Sequence, residues 1–157
     1  MCFHQNPQIN FSRGQGYHGA SVLCPDSDKQ RLLLALRQDH LVHFVGHNGP
    51  PPNEQDFECC AGGFLLPGDV TSAKSQFVYG SFCNSSHLGE VLTQKGVGSF
   101  VGWNGLTSDV EGYLYSNEFY AWCFLKGYSV EDAKAMTACH HGRDADFVLH
   151  GNPNLTL

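Results

Sequence analysis

The chain has 157 residues, of which 41% are hydrophobic and only 15% charged, and its formal net charge is −6. This length suits one domain that buries roughly 70% of its unfolded surface, so the chain can fold without disulfide bonds. The negative charge argues against nucleic acid as a partner, and no apolar run approaches the roughly 20 residues that a membrane span needs. We therefore expect neither nucleic acid nor a membrane as a partner.

Residues 1–26 are polar and rich in the turn-forming residues Gly and Pro. We expect an irregular segment over residues 1–26, followed by the folded domain over residues 27–157. Residues 1–4 lack the basic-then-apolar order of a signal peptide. This predicts a cytoplasmic protein whose seven cysteines are reduced thiols rather than disulfides.

Helices and strands are predicted to alternate along the chain. The predicted helices begin at Ser27 or Asp28 and end near residue 38, cover residues 86–94 and 114–126, and open again at Ser129. The predicted strands are residues 41–47, 76–82, 97–103 and 147–150, and the loop over residues 50–74 has some strand character at 63–66. Helices alternating with apolar strands predict an α/β fold with a mostly parallel sheet, covered by helices on both faces.

Residues that commonly cap helices mark the boundary between the last two predicted helices. Gly127 should close one helix, and Ser129 should cap the next, with Asp132 three residues further on. The spacing of the apolar residues predicts that one side of this last helix packs on the protein, through Val130, Ala133, Met136 and Cys139.

Two residues with catalytic chemistry come at the ends of predicted strands, His47 after the first and Cys83 after the second. Sites in parallel sheets lie just past the carboxyl ends of the strands. A cysteine nucleophile needs a base, which is usually a histidine. The pattern therefore predicts a catalytic pair, provided that the two strands are neighbours. The alternative is that Cys83 is a small buried hydrophobic residue and His47 a satisfied polar group.

The same positions suggest how an oxyanion could be held. Gly49 leaves room for a substrate near His47 and exposes backbone N–H groups, which could act together with the N–H of Cys83. The positive end of the helix that follows Cys83 would favour a thiolate.

Four segments resemble caspase-fold cysteine peptidases of the gingipain-like and CHAT types, where CHAT abbreviates caspase and tetratricopeptide-associated. The family's histidine strand is similar to residues 41–49 (LVHFVGHNG), and its nucleophile strand is similar to residues 77–86 (FVYGSFCNSS). The strand that follows, and the closing Gly-Asp-Pro stretch, are similar to residues 95–103 (KGVGSFVGW) and 147–155 (FVLHGNPNL). The resemblance covers about residues 27–157 and implies a caspase-like three-layer sandwich.

The sequence also departs from the family pattern. Asn48 separates His47 from Gly49, whereas the family strand ends in His-Gly. A complete caspase-fold domain has one or two further strand–helix units before the histidine strand, and only 40 residues precede it here. We therefore expect a domain that lacks its first strands, whether as a truncated domain, a processed fragment, half of a split protein or a degenerate copy. Such a sheet would have an exposed edge strand.

The resemblance implies a cysteine endopeptidase, a hydrolase in which Cys83 attacks the peptide carbonyl and His47 protonates the leaving amine. This mechanism requires neither a metal nor an organic cofactor. The substrate is then a protein or peptide, and the CHAT-type relatives imply control by a regulatory protein partner or an attached sensor domain.

In the family, the segment after the third strand helps to form the pocket for the residue that precedes the cut. The matching residues here are Trp103, Asn104 and Asp109. Asp109 would pair with an Arg or Lys of the substrate, which predicts cleavage after a basic residue. The alternative is that Asp109 caps a helix or is simply solvated. Asp69 is a weaker candidate for the same role.

Two other interpretations of the sequence stay open. One is a catalytically inactive caspase-like scaffold, or fragment, that binds a partner. The other is a domain stabilised by zinc, with ligands drawn from His43, His47, Cys59 and Cys60. On one extended strand the two histidines would be roughly 13 Å apart, too far for a single ion without a bend. We therefore expect no metal, and expect His43 to pack beside the catalytic pair.

Overall fold

The computed structural model describes residues 29–48, 57–58 and 63–157. The predicted irregular segment over residues 1–26, the cap at Ser27 or Asp28, Gly49 and the pair Cys59 and Cys60 lie outside these ranges. The described elements are α1 (Lys29–Gln38), β1 (Leu41–Val45), β2 (Phe57–Glu58), β3 (Phe64–Leu65), a short 3-10 helix (Pro67–Asp69), β4 (Phe77–Ser81), α2 (Ser85–Gln94), β5 (Ser99–Trp103), α3 (Asp109–Lys126), α4 (Val130–His141) and β6 (Phe147–Gly151). Within the described ranges, no helix is both long enough and apolar enough to cross a membrane.

The main sheet has four strands in the order β1-β4-β5-β6. β1, β4 and β5 run parallel, whereas β6 runs antiparallel to β5. β2 and β3 form a separate two-stranded antiparallel ribbon. The prediction of an α/β fold with a mostly parallel sheet is therefore confirmed.

The direction of β6 follows from its connection to β5. A single helix, α2, joins β4 to β5, and the two strands are parallel as such a crossover requires. Two successive helices, α3 and α4, join β5 to β6. The chain re-enters the sheet where β5 ended, since Phe147 at the start of β6 pairs with Trp103.

Each face of the sheet has its own hydrophobic core. The side chains alternate in β4, where Val78 belongs to one core while Phe77 and Tyr79 belong to the other. The first core is closed by Leu residues of α1 and α2, and the second by aromatic residues of α3 and small residues of α4. Three layers, helices on both sides of one sheet, are the result.

Three glycines surround the ring of Phe100, which is fully buried on the α2 side of the sheet. A Cβ at Gly80 would lie 2.6 Å from Cζ of this ring, and a Cβ at Gly102 would lie 2.6 Å from its Cε1. A Cβ at Gly89, in the middle of α2, would overlap the ring outright. The close approach of α2 to β4 and β5 therefore depends on glycine at these positions.

The helix ends agree in part with the sequence signals. Gly127 adopts φ 69° after α3, and the hydroxyl of Ser129 accepts a hydrogen bond from the N–H of Asp132 at the start of α4, as predicted. The predicted inner face of α4 is partly wrong, because Cys139 is exposed while Thr137 and Ala138 are buried in its place.

Helix α3 begins five residues before its predicted start. The hydroxyl of Ser108 accepts a hydrogen bond from the N–H of Glu111, whose carboxylate accepts one from the N–H of Ser108. This reciprocal pair is a capping box, which satisfies two N–H groups at the helix start. The Ser108 N–H, together with the Ser108 hydroxyl and the Arg143 guanidinium, lowers the pKa of Glu111 below its ordinary value.

Candidate active site

His47 and Cys83 follow two neighbouring parallel strands at the same edge of the sheet. Val45, the last residue of β1, pairs with Ser81, the last residue of β4. His47 and Cys83 each come two residues after this pair, and the N–H of Gly46 donates to the Ser81 carbonyl at 3.4 Å. Neighbouring strands are about 4.8 Å apart, so β1 and β4 end side by side, and His47 and Cys83 follow at the same edge of the sheet.

The segment that carries His47 is held by the small ribbon. The N–H of Glu58 in β2 donates to the His47 carbonyl at 2.9 Å, and Asn48 forms an antiparallel bridge with Phe57. The His47 residue is exposed. Its backbone is therefore tied down while its imidazole is open to solvent and to a ligand.

Cys83 is half-buried, and its sulfur contacts the backbone of Thr107 in the loop before α3. The Thr107 N–H donates to Sγ at 3.3 Å, and the thiol S–H donates to the Thr107 carbonyl, also at 3.3 Å. Among the hydrogen bonds of the described residues, both of those made by Sγ go to Thr107 and none goes to His47. The two strand ends thus meet, but the thiol proton is directed to the loop.

The turn that follows Cys83 is held at several points. Asn84, which precedes the first residue of α2, has the left-handed conformation with φ 54°, and its N–H donates to the Gly105 carbonyl at 2.8 Å. The buried hydroxyl of Ser85 donates to the Gly80 carbonyl of β4 at 2.9 Å and accepts from the N–H of Trp103 of β5 at 2.8 Å. These bonds fix the start of α2 against both central strands.

We expect Asn84→Ala to lower the free energy of unfolding by about 1 kcal/mol, because alanine tolerates the left-handed region less well than asparagine. Asn84→Gly is the matched control, since glycine adopts this conformation without steric cost. It should equal or exceed the wild-type stability. Urea denaturation of the three proteins measures the difference, and equal midpoints for the alanine and glycine variants would contradict the assigned backbone conformation.

The three residues predicted to bind substrate differ in their accessibility. The Trp103 side chain is fully buried, packed edge-on against Tyr115 at 4.7 Å between ring centroids, so it belongs to the core and offers no surface to a ligand. Asn104 is exposed, and its N–H donates to the Asp146 carbonyl at 2.7 Å. Asp109 is exposed as the first residue of α3. Of the three side chains, a substrate can therefore reach those of Asn104 and Asp109.

Asp69, the weaker candidate for the same pocket, is engaged elsewhere. Its carboxylate accepts hydrogen bonds from Lys29 Nζ and from the Leu66 N–H, both at 2.9 Å. The Lys29 ammonium and the Leu66 N–H lower the pKa of Asp69. This residue ties α1 to the 3-10 helix.

His43 lies in β1 on the face covered by α3. Its ring packs against Tyr79 at 4.8 Å and against Tyr120 at 5.7 Å between centroids. Burial lowers the pKa of His43 to about 3, so its imidazole is neutral at physiological pH. The residue as a whole is half-buried, and its Nε2 atom is buried.

Sequence reasoning missed two residues that shape this edge of the sheet, Thr107 and Arg143. Thr107 supplies both hydrogen-bonding partners of the Cys83 sulfur, and Arg143 contacts the loop that carries Thr107. The capping pattern Ser108-x-x-Glu111 was a visible signal for the end of that loop. Arg143 had no local signal, because the hydrogen-bond partners of its side chain, except for Asp146, lie more than 30 residues away.

Within the described part of the chain, no group of three or more His, Cys, Asp and Glu side chains is arranged to hold a metal ion. The two cysteines of the zinc interpretation lie outside that part. A scan against models of protein families finds no match to this sequence, and a comparison with curated proteins finds no significant relative.

Proposed function

We propose that this protein is a cysteine endopeptidase with a caspase-like domain of the CHAT or gingipain-like type, in which Cys83 is the nucleophile and His47 the general acid and base. One observation carries the proposal: both residues follow, by the same two positions, a pair of parallel strands that are in register up to Val45 and Ser81. The order of the four family-like segments in the sequence supports the same function.

The chemistry follows from the pair. The thiol proton passes to His47, and the sulfur attacks the carbonyl carbon of a peptide bond to form a C–S bond. The C–N bond breaks as His47 gives its proton to the leaving amine, and a thioester remains. Water, deprotonated by His47, then attacks the thioester carbonyl, and the C–S bond breaks as the proton returns to the sulfur. The N–H groups near Gly49 and Cys83 are the proposed oxyanion donors.

The proposed substrate is a peptide with a basic residue before the cut. Asp109 supports this preference, because its exposed carboxylate comes two residues after Thr107, which contacts the Cys83 sulfur. A charge at this position would pair with an Arg or Lys side chain of a bound peptide.

A peptidyl electrophile tests the proposal, with Arg, Lys or Leu next to the warhead and with the modified residue mapped by mass spectrometry. We expect selective modification of Cys83, loss of that modification in His47→Ala, and weaker preference for the basic probes in Asp109→Asn. Cys139 is the internal control, since it is an exposed cysteine remote in sequence from the pair. If Cys83 reacts no faster than Cys139 and ignores the His47 substitution, the peptidase proposal is wrong.

The second candidate is an inactive caspase-like scaffold that binds a partner. The observation in its favour is the pairing of the Cys83 sulfur with Thr107 rather than with His47. The labelling experiment separates the two functions, because a scaffold needs neither a selectively reactive Cys83 nor an effect of His47.

A further inference from the structure

Arg143, in the turn between α4 and β6, reaches back to the loop of residues 104–108 and meets three kinds of partner. Its NH2 group donates to the Leu106 carbonyl at 2.8 Å and to Asp146 Oδ2 at 2.9 Å, and its NH1 group donates to Glu111 Oε1 at 3.1 Å. The guanidinium also lies over the Trp103 ring, 5.2 Å from its centroid. Arginine suits this set of partners because its planar guanidinium presents several N–H donors in a rigid fork and can also stack on an aromatic ring.

Glu111 extends this contact to the other side of Thr107. While its Oε1 binds Arg143, its Oε2 accepts from the N–H of Ser108 at 2.9 Å and from the Ser108 hydroxyl at 3.0 Å. Arg143 therefore holds Leu106 directly and Ser108 through Glu111. These are the two chain neighbours of Thr107.

Thr107 lies between these held neighbours with both backbone polar groups on the Cys83 sulfur. Two further backbone bonds support the same loop, from the Asn104 N–H to the Asp146 carbonyl at 2.7 Å and from the Asn84 N–H to the Gly105 carbonyl at 2.8 Å. Contacts of Arg143 thus reach both chain neighbours of Thr107, the residue whose backbone binds the Cys83 sulfur.

We propose that Arg143 is a positioning residue that holds Thr107 on Cys83 and so keeps the thiol in a resting state of low reactivity. In this state the S–H donates to the Thr107 carbonyl, and the loop covers part of the sulfur. Transfer of the proton to His47 requires release of this contact. The assignment of Cys83 as a nucleophile rests on the proposed function, but the contact itself and its effect on the thiol do not.

The test measures the rate at which iodoacetamide alkylates each cysteine of the full chain, with mass spectrometry as the readout. In Arg143→Gln we expect Cys83 to react about tenfold faster relative to Cys139, because the sulfur loses the cover of the loop and its S–H bond to the Thr107 carbonyl, an effect on the order of one hydrogen bond. Cys123 reports on unfolding, because it is buried and burial raises its pKa to about 12. It should stay unlabelled.

Lys134→Gln is the matched control. It removes one positive charge, on the neighbouring helix α4, from an ion pair with Asp144 at 2.8 Å in which the 104–108 loop has no part. It should leave the ratio of the Cys83 and Cys139 rates unchanged. Arg143→Lys keeps the charge but not the fork of donors, and it should give an intermediate ratio.

An unchanged ratio in Arg143→Gln, with Cys123 protected, overturns the proposal. If Cys123 becomes labelled in that variant, the milder variant Arg143→Lys is used instead. In Arg143→Lys, a faster alkylation of Cys83 alone supports the proposal. Faster alkylation of both Cys83 and Cys123 shows that Arg143 only stabilises the fold. Failure of the peptidyl electrophile to modify Cys83 in Arg143→Gln as well as in the wild type, together with a raised iodoacetamide ratio in that variant, would refute the peptidase and leave the role of Arg143 intact.

Discussion

Gly89→Ala should destabilise the fold by about 2–3 kcal/mol, although alanine is ordinarily the better helix residue by about 1 kcal/mol. The new methyl group would overlap the ring of Phe100, which is fully buried and bordered by Gly80 and Gly102 on the sheet. Because the ring has no free volume to enter, α2 must move away from β5. Urea denaturation measures the loss in the free energy of unfolding.

Two further variants make this expectation specific. Gly68→Ala is the matched control, since a Cβ at that position would have no neighbour within 4 Å and its stability should change by no more than about 0.5 kcal/mol. Phe100→Leu, combined with Gly89→Ala, should cost less than the sum of the two single changes, because the smaller side chain makes room for the methyl group. If the destabilisation of the double variant equals the sum of the two single values, steric overlap with the Phe100 ring is not the cause of the destabilisation.

The second large effect concerns His43 and acid. The folded state holds the pKa of His43 at about 3, below its ordinary value of 6.5, so between these values the unfolded chain takes up a proton that the folded chain does not. The stability that follows from a neutral His43 is therefore present above about pH 6.5 and is lost as the pH falls towards 3. The contribution is at most about 1.4 kcal/mol per pH unit.

His43→Phe should flatten the dependence of unfolding free energy on pH between 6.5 and 4, while keeping a ring against Tyr79 and Tyr120. These tyrosines are the ring partners of His43, and burial raises the pKa of each, so neither titrates in acid. Identical slopes in wild type and His43→Phe would show that His43 does not remain neutral in the folded protein.

The strands of the sheet could be predicted because each is a short apolar run bounded by polar or turn-forming residues. Their ends differ from the prediction by one or two residues, as at Phe82, which is buried but lies outside β4. Hydrophobicity reports burial rather than ladder hydrogen bonds, so it extends a strand into a buried turn. The start of α3 was missed because Gly112 weakens the helical pattern there, whereas in the fold this glycine permits close contact with Ser81.

The candidate site could be predicted only where it depends on strand ends. His47 and Cys83 follow apolar runs, and the order of the elements brings those runs together. The burial of Trp103 was not anticipated, although it shares a face of β5 with Val101, two residues before it, and both belong to the core under α3. Contacts between distant residues, such as Arg143 with Leu106, produce no periodic pattern in the sequence. They depend on the three-dimensional arrangement of two loops.

The sheet order gives the two proposed catalytic residues different mechanical surroundings. Cys83 follows β4, which is paired on both sides, whereas His47 follows β1, which among the described strands is paired only with β4. Strands with two partners open only in large unfolding events, while elements at a margin fluctuate locally. We therefore expect the Cys83 sulfur to stay in place during activation, while the His47 segment approaches it and the 104–108 loop moves away from it.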